Sequence, residues 1–288
     1  MVEDTGAEGN REPMGQKDMR IGTAEQEALD RDGYLLLAGA FSRRRVQSLR
    51  EGVADLLERA STGACTITWI DAAAGVPDRI SHMMHPDKYH PAWGQWLADD
   101  VAVDLEVLLQ GPARHSLFGM LASGAGHGYR MAWHRDIGKP GANDEAEFLR
   151  RHHGCLIQFN APLLDGDNFL HVVPASHLRA STAEEIAAAR AGVDGTIAAG
   201  IEVRLEPGDI LYYNANLWHR GWNPDGHPRQ TLHAAYWKAE YPVMMHEHGQ
   251  REALGAAAHL QRLPPQTRQL IQRYLDVHTD APKSLLDL

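Results

Sequence analysis

The sequence predicts a mainly β fold with flanking helices: a strand-rich centre framed by helical segments at both ends. Three observations predict it. Up to about residue 110 apolar side chains recur at helical spacing. From about 114 to 240, short β-branched and aromatic runs alternate with turn residues, and after about 250 the helical spacing returns. A chain of 288 residues, 43% hydrophobic and 23% charged, has an ordinary globular composition and can bury one large core. This order suits a β-sandwich or barrel with helical support.

Residues 1–20, "MVEDTGAEGNREPMGQKDMR", have no apolar core, so they are expected to be a solvated, disordered tail rather than a signal peptide. Residues 21–288 are expected to form one domain, with N-terminal helices over 21–111, the β core over 112–240 and C-terminal helices over 241–288. Thr23 with Gln26 has the form of a capping box for a helix running to about Asp32. "GYLLLAG" follows as a strand. Ser42 then caps a second helix, whose Val46, Leu49, Val53, Leu56 and Leu57 share one face. Residues 62–92 show no clean period. A third helix is expected over 93–110, through Trp96, Leu97, Val101, Leu105 and Leu108, ending at Gly111.

The strand candidates are "HSLFGML", "GYRMAWHRD", "GCLIQFNAPL", "FLHVVP", "GIEVRL", "DILYYN" and "RQTLHAAYW". "KPGANDEAEFLRRHH" and "STAEEIAAARAG" interrupt them as insertions with helical character. Near the C-terminus Pro264 and Pro265 separate two helices. No internal repeat is visible.

A formal charge of −10 argues against nucleic acid or an anionic membrane as partner. The longest apolar run, "YLLLAGAF", is too short to span a bilayer. Two cysteines, Cys65 and Cys155, make no disulfide framework, and a reducing, cytoplasmic setting fits.

"MAWHRDIGKPG", residues 131–141, reads like a kinase catalytic loop, yet no strand lysine or Gly-rich loop lies far upstream and no Asp-Phe-Gly follows. The same letters contain His-x-Asp, two ligands of a non-haem iron site. With 17 histidines the pattern occurs three times, at His85, His134 and His278, so the motif alone is weak. A facial metal site needs a second histidine. No histidine follows His278, and Pro86 disrupts any ladder at His85. His134 and Asp136 end a strand-like run, where positions i and i+2 share a face, so both can reach one metal.

For the third ligand His177, His219, His227 and His233 are the downstream choices. "DILYYNANLWHRGWNPDGHPRQTLHAAYW" reads as a hairpin turning at Asn223 to Gly226, with His219 on one arm and Arg229 on the other. A cation beside a metal calls for an anion between them. A dicarboxylate that chelates the metal and pairs with Arg229 through bidentate bonds meets that need.

Four ordered motifs, spread over about 24 to 238, resemble the phytanoyl-CoA dioxygenase-like family of iron(II)/2-oxoglutarate oxygenases. "EQEALDRDGYLLLAGAFSRRRVQSLREGV" resembles its opening helix, Asp-Gly-Tyr strand and second helix, and "WHRD" its His-x-Asp strand. "DNFLHVVPASH" resembles its Asn-Gly…Val-Val-Pro-Gly-Ser-His segment, with Asp-Asn for Asn-Gly and Ala175 for Gly. "PGDILYYNANLWHRGWNPDGHPRQTL" resembles its last Pro-Gly-Asp strand, distal His, Asn and Arg.

The resemblance implies a double-stranded β-helix (jelly-roll, cupin-like) core. It implies iron(II) on His134, Asp136 and His219, with 2-oxoglutarate and O2 as cosubstrates and Arg229 anchoring the distal carboxylate. Many members carry a hydroxyl residue two positions after the distal His; here it is Gly221, so Thr231 is the candidate to supply it, and Gln158 is a further cosubstrate candidate. Asp136 disfavours halogenation, since halogenating relatives lack that carboxylate. His177 lies in the turn motif and is expected to be structural; His152 and His153 are expected to face solvent.

The implied activity is hydroxylation, desaturation or oxidative cyclisation of a small-molecule, biosynthetic substrate, with release of succinate and CO2. Two rivals remain: a cupin-like metalloenzyme that does not use 2-oxoglutarate, and a non-catalytic jelly-roll binding protein. Residues 66–96 and 139–153 are the expected pocket walls. Nothing in the sequence speaks to oligomeric state.

Overall fold

The computed structural model describes residues 20–285 and 288, so the expected tail, apart from Arg20, lies outside the described residues. Helix α1 (Thr23–Asp32) starts on Gly22, whose amide donates to Glu25 Oε2 at 2.9 Å. The box therefore closes one residue earlier than Thr23 and Gln26 would place it. Gly33, at φ 81°, ends α1 in the left-handed region and turns the chain into strand β1 (Tyr34–Leu37). Helix α2 (Arg43–Ser61) is capped by Ser42, whose side chain accepts from the Arg45 amide at 3.2 Å, and it buries Val46, Leu49, Val53 and Leu56. The third helix is α3 (Pro91–Trp96) and α4 (Ala102–Leu108), joined by a π turn over Leu97–Val101. It stops where Gln110, not Gly111, takes a positive φ of 52°.

Strands β2 (Trp69–Asp71) and β3 (Val76–Pro77) make a small ribbon in the segment without a period. Then come β4 (Ala113–Ser123), β5 (Tyr129–Arg130), β6 (Leu156–Pro162), β7 (Asp167–Val172), β8 (Ile201–Leu205), β9 (Ile210–Asn214), β10 (His219–Asn223) and β11 (Arg229–Lys238). Helices α5 (Glu145–Arg151) and α6 (Ala183–Arg190) fill the two insertions. The C-terminal helices are α7 (Arg251–Leu254), α8 (Ala257–Arg262) and α9 (Pro265–Asp276), the last with proline in its first turn. None of the helices among the described residues is long and apolar enough to cross a membrane.

One sheet has the order β1-β9-β6-β11-β4 and the other β5-β10-β7-β8, all pairs antiparallel. Counted from β4, the first, eighth, third and sixth strands share one sheet, and the second, seventh, fourth and fifth share the other. That interleaving is the double-stranded β-helix. Its larger sheet is buried on both faces. Along β6, Ile157, Phe159 and Ala161 join the helical core with Leu49, Leu56 and Trp96, whereas Leu156, Gln158 and Asn160 line the space between the sheets. On β11, Leu232, Ala234 and Tyr236 join the helices. Arg229, His233 and Ala235 face inward.

Strands β10 and β11 are not a hairpin, and the expectation of a ladder between His219 and Arg229 is corrected. The turn is where the sequence placed it, with the Gly226 amide donating to the Asn223 carbonyl at 3.3 Å. But the Asn223 side chain accepts from the His227 amide at 3.0 Å and donates to the His227 carbonyl at 2.9 Å and Ser123 Oγ at 2.7 Å. These bonds make a corner that carries the chain from one sheet to the other.

The C-terminal segment is held to β4 by a fully buried ion pair, Arg114 Nη2 to Glu247 Oε2 at 3.1 Å. Arg114 also donates to the carbonyls of Tyr241 (2.9 Å) and Pro242 (2.7 Å). Removing the carboxylate would strand a buried guanidinium. Glu247→Ala is therefore expected to cost about 3–5 kcal/mol of unfolding free energy in urea denaturation. A loss under about 1 kcal/mol would mean that water reaches Arg114 in the variant.

Candidate metal centre

The His-x-Asp segment runs beside β10, though not as the continuous strand its sequence suggests. Arg130 pairs with Trp222, and the Met131 amide donates to the Gly221 carbonyl at 3.0 Å. The register then slips: His134 and His219 exchange both backbone bonds, each 3.0 Å. Ala132 and Trp133 thus stand opposite the single residue Arg220, the arrangement of a bulge. Its consequence is direct. His134 and His219 become cross-strand neighbours, with ring centroids 4.3 Å apart.

Between the two motif residues, Arg135 turns the other way and is buried. Its guanidinium donates to the carbonyls of Ser176 (2.7 Å), Asn216 and Arg179 (3.2 Å), lies 3.5 Å from Glu145 Oε1, and packs over the Trp218 ring. Burial lowers its pKa to about 10, which leaves it charged at neutral pH.

One ligand atom from each of His134, Asp136 and His219 lies within 4.8 Å of the others. The Nε2 atoms of His134 and His219 are 3.7 and 3.6 Å from the two Asp136 oxygens, too long for hydrogen bonds. Each Nδ1 is 2.9 Å from a carbonyl two residues earlier, that of Ala132 or Leu217. A carbonyl only accepts, so each ring carries a proton on Nδ1 and turns its Nε2 toward the carboxylate. Burial, then the neighbouring His134, lowers the pKa of His219 and keeps it neutral. Two Nε2 atoms and a carboxylate converge on one point, the donor set that a metal cation takes when each Nε2 is unprotonated. Gln158, the further cosubstrate candidate, lines the space between the sheets, where its amide donates to Asp136 Oδ2 and its Oε1 accepts from the Tyr213 hydroxyl at 2.8 Å.

The cluster opens on a cavity of about 610 Å³ that Arg229 also lines. Arg229 is buried and already partnered. Its Nε and Nη2 donate to Asp167 Oδ2 (3.0 Å) and Oδ1 (3.4 Å), and its Nη1 to the Tyr129 hydroxyl. Burial alone would lower its pKa, but Asp167 and Tyr129 more than offset that and raise it. The Thr231 hydroxyl accepts from Arg229 Nε at 3.1 Å and donates to Asp167. Tyr129 and Asp167 escaped the sequence reading. Their signals were the missing hydroxyl at Gly221 and the Asp-for-Asn departure in "DNFLHVVPASH". A Cβ on Gly221 would meet Tyr129 Cε2 at 3.0 Å and Met131 Sδ at 3.2 Å, so the glycine makes the seat from which Tyr129 reaches Arg229.

The remaining histidines sort by contact. His177 Nε2 donates to the Asp30 carbonyl at 3.1 Å, a structural role as expected. His233 is buried on β11, with Nδ1 2.9 Å from Asn160 Oδ1; the Asn160 amide nitrogen has no partner among the described residues. His85 stacks on His82, and His278 packs on His248. His152 and His153 do not face solvent freely. They are half-buried against the Tyr241 hydroxyl (3.0 Å) and Asp30 Oδ1 (3.1 Å). Of the expected walls, 66–96 supplies Ile70, Asp78, Arg79, Ser81 and His82, whereas 139–153 supplies nothing to the cavity. His246 and Leu285, from the C-terminal segment, complete the wall.

A family model for phytanoyl-CoA dioxygenase matches residues 29–223. Among solved structures, AviO1 from Streptomyces viridochromogenes Tue57 is 20% identical with a TM-score of 0.56, over 76% of this chain and 96% of that one. EctD from S. alaskensis, with 2-oxoglutarate and 5-hydroxyectoine, is 20% identical with a TM-score of 0.56, over 78% of each chain. SnoK, a non-heme alpha ketoglutarate dependent carbocyclase from nogalamycin biosynthesis, is 15% identical with a TM-score of 0.54, over 76% of this chain and 85% of that one. At such identities the likeness is one of fold. Comparison with curated proteins finds no match.

The Gly221–Tyr129 contact can be tested by a double-mutant cycle. Gly221→Ala alone should lose about 1–3 kcal/mol of stability through overpacking. In a Tyr129→Ala background the same change should be nearly neutral, giving a coupling energy of about 1 kcal/mol or more in denaturant titrations. Additive losses would show that position 221 and Tyr129 do not constrain each other.

Proposed function

The chain belongs to the phytanoyl-CoA dioxygenase family, and from that premise we propose an iron(II)- and 2-oxoglutarate-dependent oxygenase of a small biosynthetic molecule. We assign His134, Asp136 and His219 as metal ligands and Arg229 as the anchor of the cosubstrate's distal carboxylate. The observation that carries this reading is the convergence of two Nε2 atoms and a carboxylate at one end of a cavity that a buried arginine also lines. Two imidazoles and one carboxylate, with the open side toward a cavity, are the donor set of non-haem iron(II) oxygenases.

With 2-oxoglutarate and dioxygen, iron(II) held there would supply the oxidising power to hydroxylate, desaturate or cyclise a substrate at a C–H bond, releasing succinate and CO2. The protein's own part is orientation. The carbonyls of Ala132 and Leu217 set the tautomer and angle of each imidazole, and Gln158, itself held by Tyr213, fixes the Asp136 carboxylate. Tyr129 and Thr231 hold the Arg229 fork in plane. Leu121, Leu170 and Ala235 line the cavity with apolar surface that excludes water. Arg79, His82 and His246 on the same wall as Ile70, Met131 and Leu285 suit a polar substrate with some apolar surface. The 2-oxoglutarate and 5-hydroxyectoine named with EctD and the alpha ketoglutarate dependent carbocyclase named for SnoK are consistent with chemistry of this kind. A metalloenzyme that does not use 2-oxoglutarate draws on one observation, that Arg229 already has a carboxylate partner in Asp167.

Metal binding is tested first. Anaerobic equilibration with iron(II), followed by metal analysis, should give one ion per chain. His134→Ala and His219→Ala should lose it with an unchanged far-ultraviolet circular dichroism spectrum, while His85→Ala and His278→Ala keep it. Stoichiometric iron in the His219 variant would overturn the ligand set.

The second test concerns Arg229. Arg229→Lys keeps the charge opposite Asp167 but loses the planar fork. One charge-assisted bond is worth about 1.5–3 kcal/mol between unshared partners, and Asp167 already shares this guanidinium, so 2-oxoglutarate affinity should fall by less than about tenfold. The measurement is an anaerobic titration of the iron-loaded protein, following the metal-to-ligand charge-transfer band. Unchanged affinity would remove Arg229 from the cosubstrate site and favour the second reading.

A further inference from the structure

Arg229 is not a bare cation waiting for an anion. Asp167 takes its Nε–Nη2 edge side-on, and Tyr129 takes Nη1. The side chains of the pair are 2% and 3% exposed, so water screens neither charge well. Asp167 is itself fixed. It opens β7, pairs there with Leu205 of β8, accepts from the Thr231 hydroxyl, and accepts from the Phe169 amide at 3.3 Å. The carboxylate cannot swing aside without giving up all of these donors. The Phe169 ring, 5.4 Å from the guanidinium, packs against the same group.

We propose that Asp167 is a built-in counter-ion that limits selection for a distal carboxylate, so that this cavity distinguishes 2-oxoglutarate only weakly from a 2-oxo monoacid of the same length. The inference rests on the 2-oxoglutarate reading and adds a specificity residue to it. A second carboxylate reaching Arg229 must use the N–H groups that Asp167 leaves. One guanidinium then serves two anions in a place where like charges repel with little screening. Arg229 still orients the cosubstrate, but most of its charge is spent inside the protein. "DNFLHVVPASH" carries Asp where the family pattern has Asn. An amide there would accept the same Nε–H bond without the charge, which makes Asp167→Asn a test by shape-conserving substitution.

The probes are 2-oxoglutarate and 2-oxopentanoate, which has a methyl group in place of the distal carboxylate. Each is titrated anaerobically by calorimetry into the iron-loaded protein. In the unmodified protein 2-oxoglutarate is expected to bind less than about tenfold more tightly than 2-oxopentanoate. In Asp167→Asn, 2-oxoglutarate should tighten by about tenfold or more while 2-oxopentanoate stays within about twofold. A structural role alone would not produce that selective gain, since a loosened Arg229 would weaken the dicarboxylate. Equal or weaker 2-oxoglutarate binding in the variant overturns the proposal. If the variant does not fold, the unmodified protein still decides: a preference of about a hundredfold or more for the dicarboxylate overturns it as well. If neither compound binds an iron-loaded protein, it is the 2-oxoglutarate reading that fails.

Discussion

The buried guanidinium of Arg135 sits between the two motif residues His134 and Asp136, on the side away from the cavity, and ties two distant segments to them. It donates to carbonyls at 176, 179 and 216, so the turn after β7 and the approach to β10 are pinned to the His-x-Asp segment. Trp218 completes the arrangement. Its ring lies under the guanidinium, its amide donates to Ser176 Oγ at 2.9 Å, and its indole donates to Ser181 Oγ at 3.2 Å. His219 follows directly. A buried arginine without these acceptors would cost several kcal/mol, so the carbonyls and the charge hold one another in place.

That requirement explains the two insertions better than the substrate does. Helix α5 brings Glu145 to Arg135, and the same carboxylate accepts from the amides of Gly141 (2.8 Å) and Ser181 (3.0 Å). Helix α6 brings Glu185 to Arg179 at 2.8 Å, under a Thr182 cap. Arg179 thus accepts from Arg135 through its carbonyl and pairs with Glu185 through its side chain, and the burial of Glu145 and Glu185 is almost complete. The insertions therefore act as carriers of counter-charge behind the metal centre, which is why 139–153 contributes nothing to the cavity wall.

The two ends of the cavity are built on opposite electrostatic logic. At the metal end, two imidazole Nε2 atoms and a carboxylate converge, a donor set that a metal cation satisfies. At the other end Arg229 and Asp167 already neutralise one another, with Thr231 and Tyr129 completing their hydrogen bonds. The middle is lined by the inward row of β6 and β11, where Asn160 and His233 pair. A ligand spanning the cavity meets the His134, Asp136 and His219 cluster at one end, a polar middle and a charge-balanced far end.

Much of this was legible in the sequence. The helix-strand-helix order, the cap at Ser42 and the alternation of β6 and β11 follow from local periodicity, because one face of each element must be buried. The His-x-Asp copy at His134 could be chosen over those at His85 and His278 from local context, and a distal histidine with an arginine ten residues on marked the rest of the cluster. What the sequence could not determine is how non-local pairs close. Whether Asn223 starts a hairpin or a corner depends on Ser123, a hundred residues away, and so Arg229 left the ladder that sequence spacing assigned to it. The bulge that brings His134 opposite His219 is a matter of register between two strands, which neither strand's sequence states by itself. Asp167 and Tyr129 read as ordinary strand residues until the sheets face each other. Local pattern sets which side chains are buried; only the packing of the two sheets decides which buried charges meet.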